Sequence, residues 1–235
     1  MRPTSLAIEI PQQPDDSACG PTCLHAVYHY YGDEIPLARV IREVEPLETG
    51  GTLAVHLAIH ALHRGYSATL YTYNLQLFDP SWFAAGVNLA DRLARQAQVK
   101  DDAKLRLATA AYLEFLKLGG HVRFEELTPD ILRRYVKRGR PLLTGLSATY
   151  LYGCARETGS VALRADDVGG SPTGHFVVLY GYDPDARRVL VADPLGDTHR
   201  FGAHYYEVGL YRLMGAILLG VLSYDANFLV IAPMP

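Results

Sequence analysis

After Cys19 the apolar side chains fall at three- and four-residue intervals: Cys23, Leu24, Val27, Tyr30 and Tyr31. That spacing predicts one buried helix face, and Gly32 ends the run. The preceding stretch, 11–17, is a polar loop punctuated by proline, in which Asp16 or Ser17 offers an N-cap. Pro21 fits only in a first helical turn, where its missing N–H costs nothing. Cys19 is therefore expected at or inside the first turn of a helix.

Further along, Pro36 opens a short helix with Leu37, Val40, Ile41 and Val44 inward, and Thr52 is expected to cap a third helix ending at Gly65. Residues 67–73 read as a strand. The stretch 81–119 reads as two helices, the second capped by Asp101 or Asp102, and Thr128-Pro129 starts another that ends at Gly139. From Pro141 the texture changes to strands at 141–150, 175–182, 189–193 and 228–232, with one amphipathic helix near 206–222. Helices first and antiparallel strands later is an α+β pattern.

Composition narrows the function classes. The chain has 235 residues, 49% hydrophobic and 20% charged, which excludes a disordered protein and suits one large domain. A net charge of −3 leaves no basic excess for a phosphate backbone, so nucleic acid is not an expected partner. The longest apolar stretch, 213–222, is too short for a bilayer, which needs about 20 apolar residues. Glu9 interrupts the N-terminal apolar run too early for a secretory signal, so a cytoplasmic location is expected. Three cysteines cannot form a disulfide framework, and one must stay unpaired. The stretch 91–140 is mildly basic, with 12 Lys/Arg against 7 Asp/Glu, and reads as a solvated helical face or a docking surface for an acidic peptide segment.

The odd cysteine has a chemistry to go with it. A helix N-terminus favours a thiolate, and its unpartnered N–H groups can receive an oxyanion. Gln13, six residues upstream, sits on a loop able to return its side-chain amide to the same point, and Gly20 permits close approach of a substrate. His175 begins an apolar strand; after a turn around Asp183-Pro184-Asp185, a second strand ends at Asp193. A hairpin centred on Pro184 would set residue 175 opposite residue 193, on one face and with Cβ atoms about 5 Å apart. Asp193 could then accept one imidazole N–H and leave the other nitrogen for Cys19.

Gln13-Pro-Asp-Asp-Ser-Ala-Cys19-Gly20-Pro21 resembles the nucleophile motif of papain-like cysteine peptidases, in particular the bacteriocin-processing, double-glycine-leader peptidases and their stand-alone relatives. Gly174-His175 through Asp183, with the 189–194 segment ending in Asp193-Pro194, is similar to that family's histidine and aspartate motifs. The resemblance implies a papain-like fold, with Cys19 as nucleophile, His175 as base and acid, Asp193 as its orienter and Gln13 as oxyanion donor. A peptide or protein substrate and no cofactor are expected, but the family's own substrate does not carry over, since the sequence shows neither membrane spans nor the Walker A loop of the transporter usually fused to such peptidases. The chain departs from the family in having Ala18 where Asp usually precedes the cysteine. Its Cys-to-His interval is also far longer, so 75–135 is expected to be a helical insertion within a single domain spanning 1–235.

Other signals are weaker. His56, His60 and His63 share one helix face at feasible metal-ligand spacing, but no nearby Cys or carboxylate in the sequence completes a shell, and no metal is expected. Cys23 and Cys154 are expected to be buried thiols. Three functions remain open: hydrolysis of a peptide or isopeptide bond through an acyl-enzyme on Cys19, transfer of that acyl group to an amine as in transglutaminase-like or phytochelatin-synthase-like enzymes, and a catalytically inactive peptide-binding module.

Overall fold

A mixed sheet forms the centre of the molecule, in a computed structural model that describes residues 4–48, 50–159, 163–196, 199–224 and 226–234. In chain order the elements are β1 (Thr4–Ser5), α1 (Cys19–Tyr30), α2 (Leu37–Glu43), α3 (Ala54–His63) and β2 (Tyr66–Thr72). Then come α4 (Leu89–Val99), α5 (Ala103–Lys117), β3 (His121–Arg123), α6 (Pro129–Val136) and β4 (Leu142–Ser147). A π-helical turn (Thr149–Gly153) leads to β5 (Glu157–Thr158), β6 (Arg164–Ala165), β7 (Gly174–Asp183) and β8 (Arg188–Ala192). The chain closes with β9 (Tyr205–Gly209), α7 (Leu210–Leu219) and β10 (Asn227–Pro233).

The large sheet runs β3-β2-β10-β4-β7-β8-β9, with β1 added against β7. All neighbours are antiparallel except β2 and β3, which are parallel. Helices cover both faces. Phe176 and Val178 of β7 join a core with α1, α3 and α5, while Val177 and Leu179 join a second core with α6 and α7. Alternate side chains of one strand thus feed two cores, which is why β4 and most of β7 are buried without interruption. The result is an α+β arrangement: a cysteine-bearing helix lying against a mostly antiparallel sheet that carries histidine and aspartate.

α1 holds together by packing. Its 12 residues are too few to be stable alone, but Leu24, Val27 and Tyr28 are fully buried. At about 1.5–3 kcal/mol per buried side chain, that contact outweighs the lack of a cap. Neither Asp16 nor Ser17 caps this helix. Ser17 instead donates from its N–H (2.8 Å) and hydroxyl (2.6 Å) to Asp15 Oδ1, so the helix starts one residue later, with Ala18 at the N-cap and no side-chain cap. Thr52 likewise does not cap α3. Its hydroxyl donates to the Glu45 carbonyl at 2.8 Å, and Leu53 takes the cap position. Asp102 does cap α5, accepting from Leu105 N–H. The expected helix at 206–222 begins as a strand: Tyr206 and Val208 alternate inward and pair with Val191 and Val189, and the helix starts only after Gly209.

Candidate active site

α1 brings Cys19 to the N-terminal end of β7, where the helix and strand are joined by a bond from Cys23 Sγ to the Phe176 carbonyl at 3.2 Å. Cys19 is 8% exposed, and its thiol is among the neighbours that raise the His175 imidazole. The His175 ring donates on its far side, Nε2 to Asp193 Oδ1 at 2.9 Å, which leaves Nδ1 for the cysteine. Asp193 is fully buried.

The hairpin that brings His175 and Asp193 together differs from the expected one. Its loop spans 184–187, centred between Asp185 and Ala186 rather than on Pro184, and β7 carries a bulge between Leu179 and Gly181. The observed pairing, Val178 with Ala192 and Leu179 with Val191, places Asp193 level with Val177 instead of His175. The displacement is two residues. Because side chains alternate with a period of two, His175 and Asp193 still share a face.

An isolated carboxylate at zero exposure would cost tens of kcal/mol, so its partners decide its state. Oδ1 accepts from His175 and from the Leu195 N–H at 3.0 Å; Oδ2 accepts from the hydroxyls of Tyr152 and Tyr206, both at 2.7 Å. Burial alone would raise the acid's pKa. The charge and hydrogen bond of His175, with the hydrogen bonds from Tyr152 and the Leu195 N–H, hold it well below the usual carboxylate range. Burial alone would lower His175, but the charge and bond of Asp193, followed by the contact with Cys19, raise it to about 10. Burial first, then Asp193, pushes the hydroxyls of Tyr152 and Tyr206 far up, so both remain protonated donors.

Gln13 reaches this centre through its backbone, whose N–H donates to the Pro194 carbonyl at 2.9 Å. Its side-chain Nε2 donates to the Asp15 carbonyl at 2.8 Å, and its Oε1 is buried without a hydrogen-bond partner among the described residues. An amide nitrogen carries two hydrogens, so one donor is committed and one remains. The uncapped first turn of α1 adds the Cys19 N–H, one of four that a helix leaves without internal partners.

Tyr152 and Tyr206 were not legible as site residues. The alternation of 206 and 208 is a signal for Tyr206 once β9 is read as a strand. Tyr152 lies on a π-helical turn, which sequence spacing does not announce. That turn also corrects Cys154: Tyr152 is turned inward, Gly153 takes a positive φ of 64°, and Cys154 is exposed rather than buried.

The histidine face of α3 is occupied by protein partners. His56 Nδ1 contacts the Glu45 carbonyl at 3.0 Å, and His60 contacts the Tyr28 hydroxyl at 2.8 Å through Nδ1 and the Glu43 carboxylate at 3.3 Å through Nε2, so the fold does bring to this face a carboxylate that the sequence did not place there. Among the described residues, no three His, Cys, Asp or Glu side chains gather as a metal site. No helix among them is long and apolar enough to cross a membrane.

Residues 107–214 match the family described as Peptidase_C39 like family. The matched span contains His175 and Asp193 but neither Cys19 nor Gln13. Similar solved structures include a protein described as a C39-like peptidase from Bacillus anthracis, at 16% identity, covering 100% of this chain and 99% of that one, TM-score 0.47. The peptidase domain of Streptococcus ComA is 13% identical over 97% and 99% of the two chains, TM-score 0.45. Xylellain, a cysteine protease from Xylella fastidiosa, is 14% identical over 99% and 86%, TM-score 0.45. No curated protein sequence matches the chain.

Proposed function

We propose, from the match of residues 107–214 to the Peptidase_C39-like family, that the chain cleaves a peptide or isopeptide bond through an acyl-enzyme on Cys19. One observation carries the reading: Cys19, at an uncapped helix start, neighbours an imidazole whose Nε2 is held at 2.9 Å by a buried carboxylate. With the proton held on His175 as an imidazolium, the sulfur attacks the scissile carbonyl as an anion. The oxyanion that forms is received by the Cys19 N–H and the remaining Gln13 Nε2–H. His175 then returns its proton to the leaving amine. In the second half it deprotonates the water that releases the acyl group, and Asp193 keeps the ring in the required tautomer throughout.

We read 1–235 as one peptidase domain with 75–135 as a helical insertion. Supporting this, Leu105, Ala108 and Phe115 of α5 belong to the same core as α1 and α3, and β3 within the stretch extends the sheet beside β2.

The test is incubation with a peptide library, followed by mass spectrometry of both products and enzyme. Expected are cleaved peptides, and a thioester adduct on Cys19 that disappears with Cys19→Ala. Products appearing only when an amine is supplied would replace hydrolysis by acyl transfer. Peptide binding with no turnover and no adduct would replace both by a binding module.

A further inference from the structure

Two oxygens of one buried carboxylate serve different clients. Oδ1 faces His175 Nε2 and the Leu195 N–H, while Oδ2 receives the Tyr152 and Tyr206 hydroxyls, each at 2.7 Å. An ionised carboxylate has about four acceptor directions, and here four donors occupy them. Rotation of the carboxylate would break both tyrosine bonds at once.

Each tyrosine is itself fixed by a ring on its face. Tyr152 stacks on His199 with centroids 4.6 Å apart and planes 7° from parallel; Tyr206 stacks on Phe201 at 4.1 Å and 8°. Tyr206 is further set by β9, where it pairs with Val191, two residues before the aspartate. Such support keeps a site within the fraction of an ångström that catalysis requires.

We infer that Tyr152 and Tyr206 are positioning residues, which lock Oδ2 so that Oδ1 stays aimed at His175 Nε2. The inference rests on the catalytic reading given above. The choice of tyrosine has a chemical reason. A lysine or arginine at either position would hold the carboxylate equally well, but its positive charge would compete with an imidazolium on His175. A phenol donates a strong hydrogen bond to an anion without bringing a charge. The titratable groups facing Asp193 are His175 on β7, Tyr152 on the π-helical turn, Tyr206 on β9 and His199, whose Nε2 lies 3.6 Å from Oδ2. Cys19 and Cys23 face the pair from α1, and His204 Nδ1 contacts the Asp193 backbone carbonyl at 2.8 Å.

The experiment uses Tyr152→Phe, Tyr206→Phe and the double variant of the full chain, with Tyr135→Phe as control. Tyr135 loses an equally buried hydroxyl bond, to Tyr71 at 2.7 Å, away from the site. The first readout needs no turnover: the ring nitrogens of histidine-labelled protein are followed by NMR as pH is raised. In each clamp variant His175 is expected to lose its proton at lower pH than in the unmodified chain, and further still in the double variant. Tyr135→Phe is expected to leave that titration in place while lowering thermal stability. The second readout is kinetic: kcat is expected to fall about tenfold per clamp tyrosine, with KM little changed and the alkaline limb of the pH profile moved down. A His175 titration that stays put or moves up overturns the inference, even where activity falls. Should the double variant not fold, the single variants carry the same readout. If the chain shows no Cys19-dependent turnover, the peptidase reading fails while the NMR titration still decides whether the tyrosines hold the pair.

Discussion

The backbone N–H of Gln13 donates to the Pro194 carbonyl at 2.9 Å, tying the loop before the cysteine helix to the turn just after Asp193. Two candidate catalytic groups, 180 positions apart in the chain, are thereby held by one main-chain bond that any residue but proline at position 13 would keep. Gln13→Ala should therefore leave the loop in place and remove only the amide. We expect kcat to fall about 10²–10³-fold with little change in KM, the cost of one lost oxyanion donor. The melting temperature should fall only slightly: the variant loses the Nε2 bond to the Asp15 carbonyl, but also removes a buried Oε1 that has no hydrogen-bond partner among the described residues. Steady-state kinetics with thermal melts check this, and a variant that keeps its kcat would remove Gln13 from the mechanism.

How much of this was legible in the sequence depends on how local each signal is. The start of α1 follows from the spacing of Cys23, Leu24, Val27 and Tyr31, and the shared face of His175 and Asp193 from the alternation along two strands. The exact pairing of those strands was not legible. A four-residue loop and a bulge at Tyr180 each move the register, and neither leaves a mark in hydrophobic alternation. Helix caps failed where a polar residue had a second acceptor nearby, as Ser17 has in Asp15 and Thr52 in the Glu45 carbonyl. The tyrosine clamp depends on three segments meeting, Tyr152, Asp193 and Tyr206, which only the folded chain reveals.

Gly20→Ala tests the packing beside the nucleophile. A Cβ at Gly20 would stand 2.8 Å from Thr52 Cγ2, 3.3 Å from Leu57 Cδ1 and 3.4 Å from Phe176 Cδ2. Thr52 cannot simply turn aside, since its hydroxyl is bonded to the Glu45 carbonyl. Alanine gains up to about 1 kcal/mol of helix propensity, against about 1–3 kcal/mol of overpacking. The clash is expected to win, lowering the urea midpoint and shifting Cys19 enough to reduce kcat. A variant more stable than the unmodified chain would mean that the first turn of α1 yields freely.

The three thiols should separate by accessibility. Cys154 is exposed; its thiol is pushed up by burial of its surroundings and by Glu157, which slows its alkylation near neutral pH. Cys23 is fully buried, bonded to the Phe176 carbonyl, and raised well above an ordinary thiol by burial and then by Cys19 and Asp193. Iodoacetamide followed by peptide mapping should find Cys19 modified first, Cys154 later and Cys23 only after unfolding. His175→Ala should abolish the lead of Cys19. Equal rates at Cys19 and Cys154 would show that the imidazole contact does not activate the thiol.

The buried ion pair also sets a pH window for stability. His175 is raised in the folded state above its unfolded value of about 6.5, so its contribution is complete below that pH and is lost as pH climbs toward about 10. Asp193 is depressed below its unfolded value of about 3.9, so its contribution is present above that pH and lost as acid titrates the folded carboxylate. Both conditions hold together between about pH 4 and 6.5. The stability gap between the unmodified chain and His175→Ala should therefore be widest there, at about 3–5 kcal/mol for removing one partner of a buried pair. It should narrow on the alkaline side as the imidazolium loses its proton, and on the acid side as Asp193 gains one. Urea unfolding of both proteins from pH 3 to 10 measures the gap directly. A gap that stays flat, or that grows toward alkaline pH, would mean that His175 and Asp193 meet as neutral partners and that the folded state gains nothing from their charges.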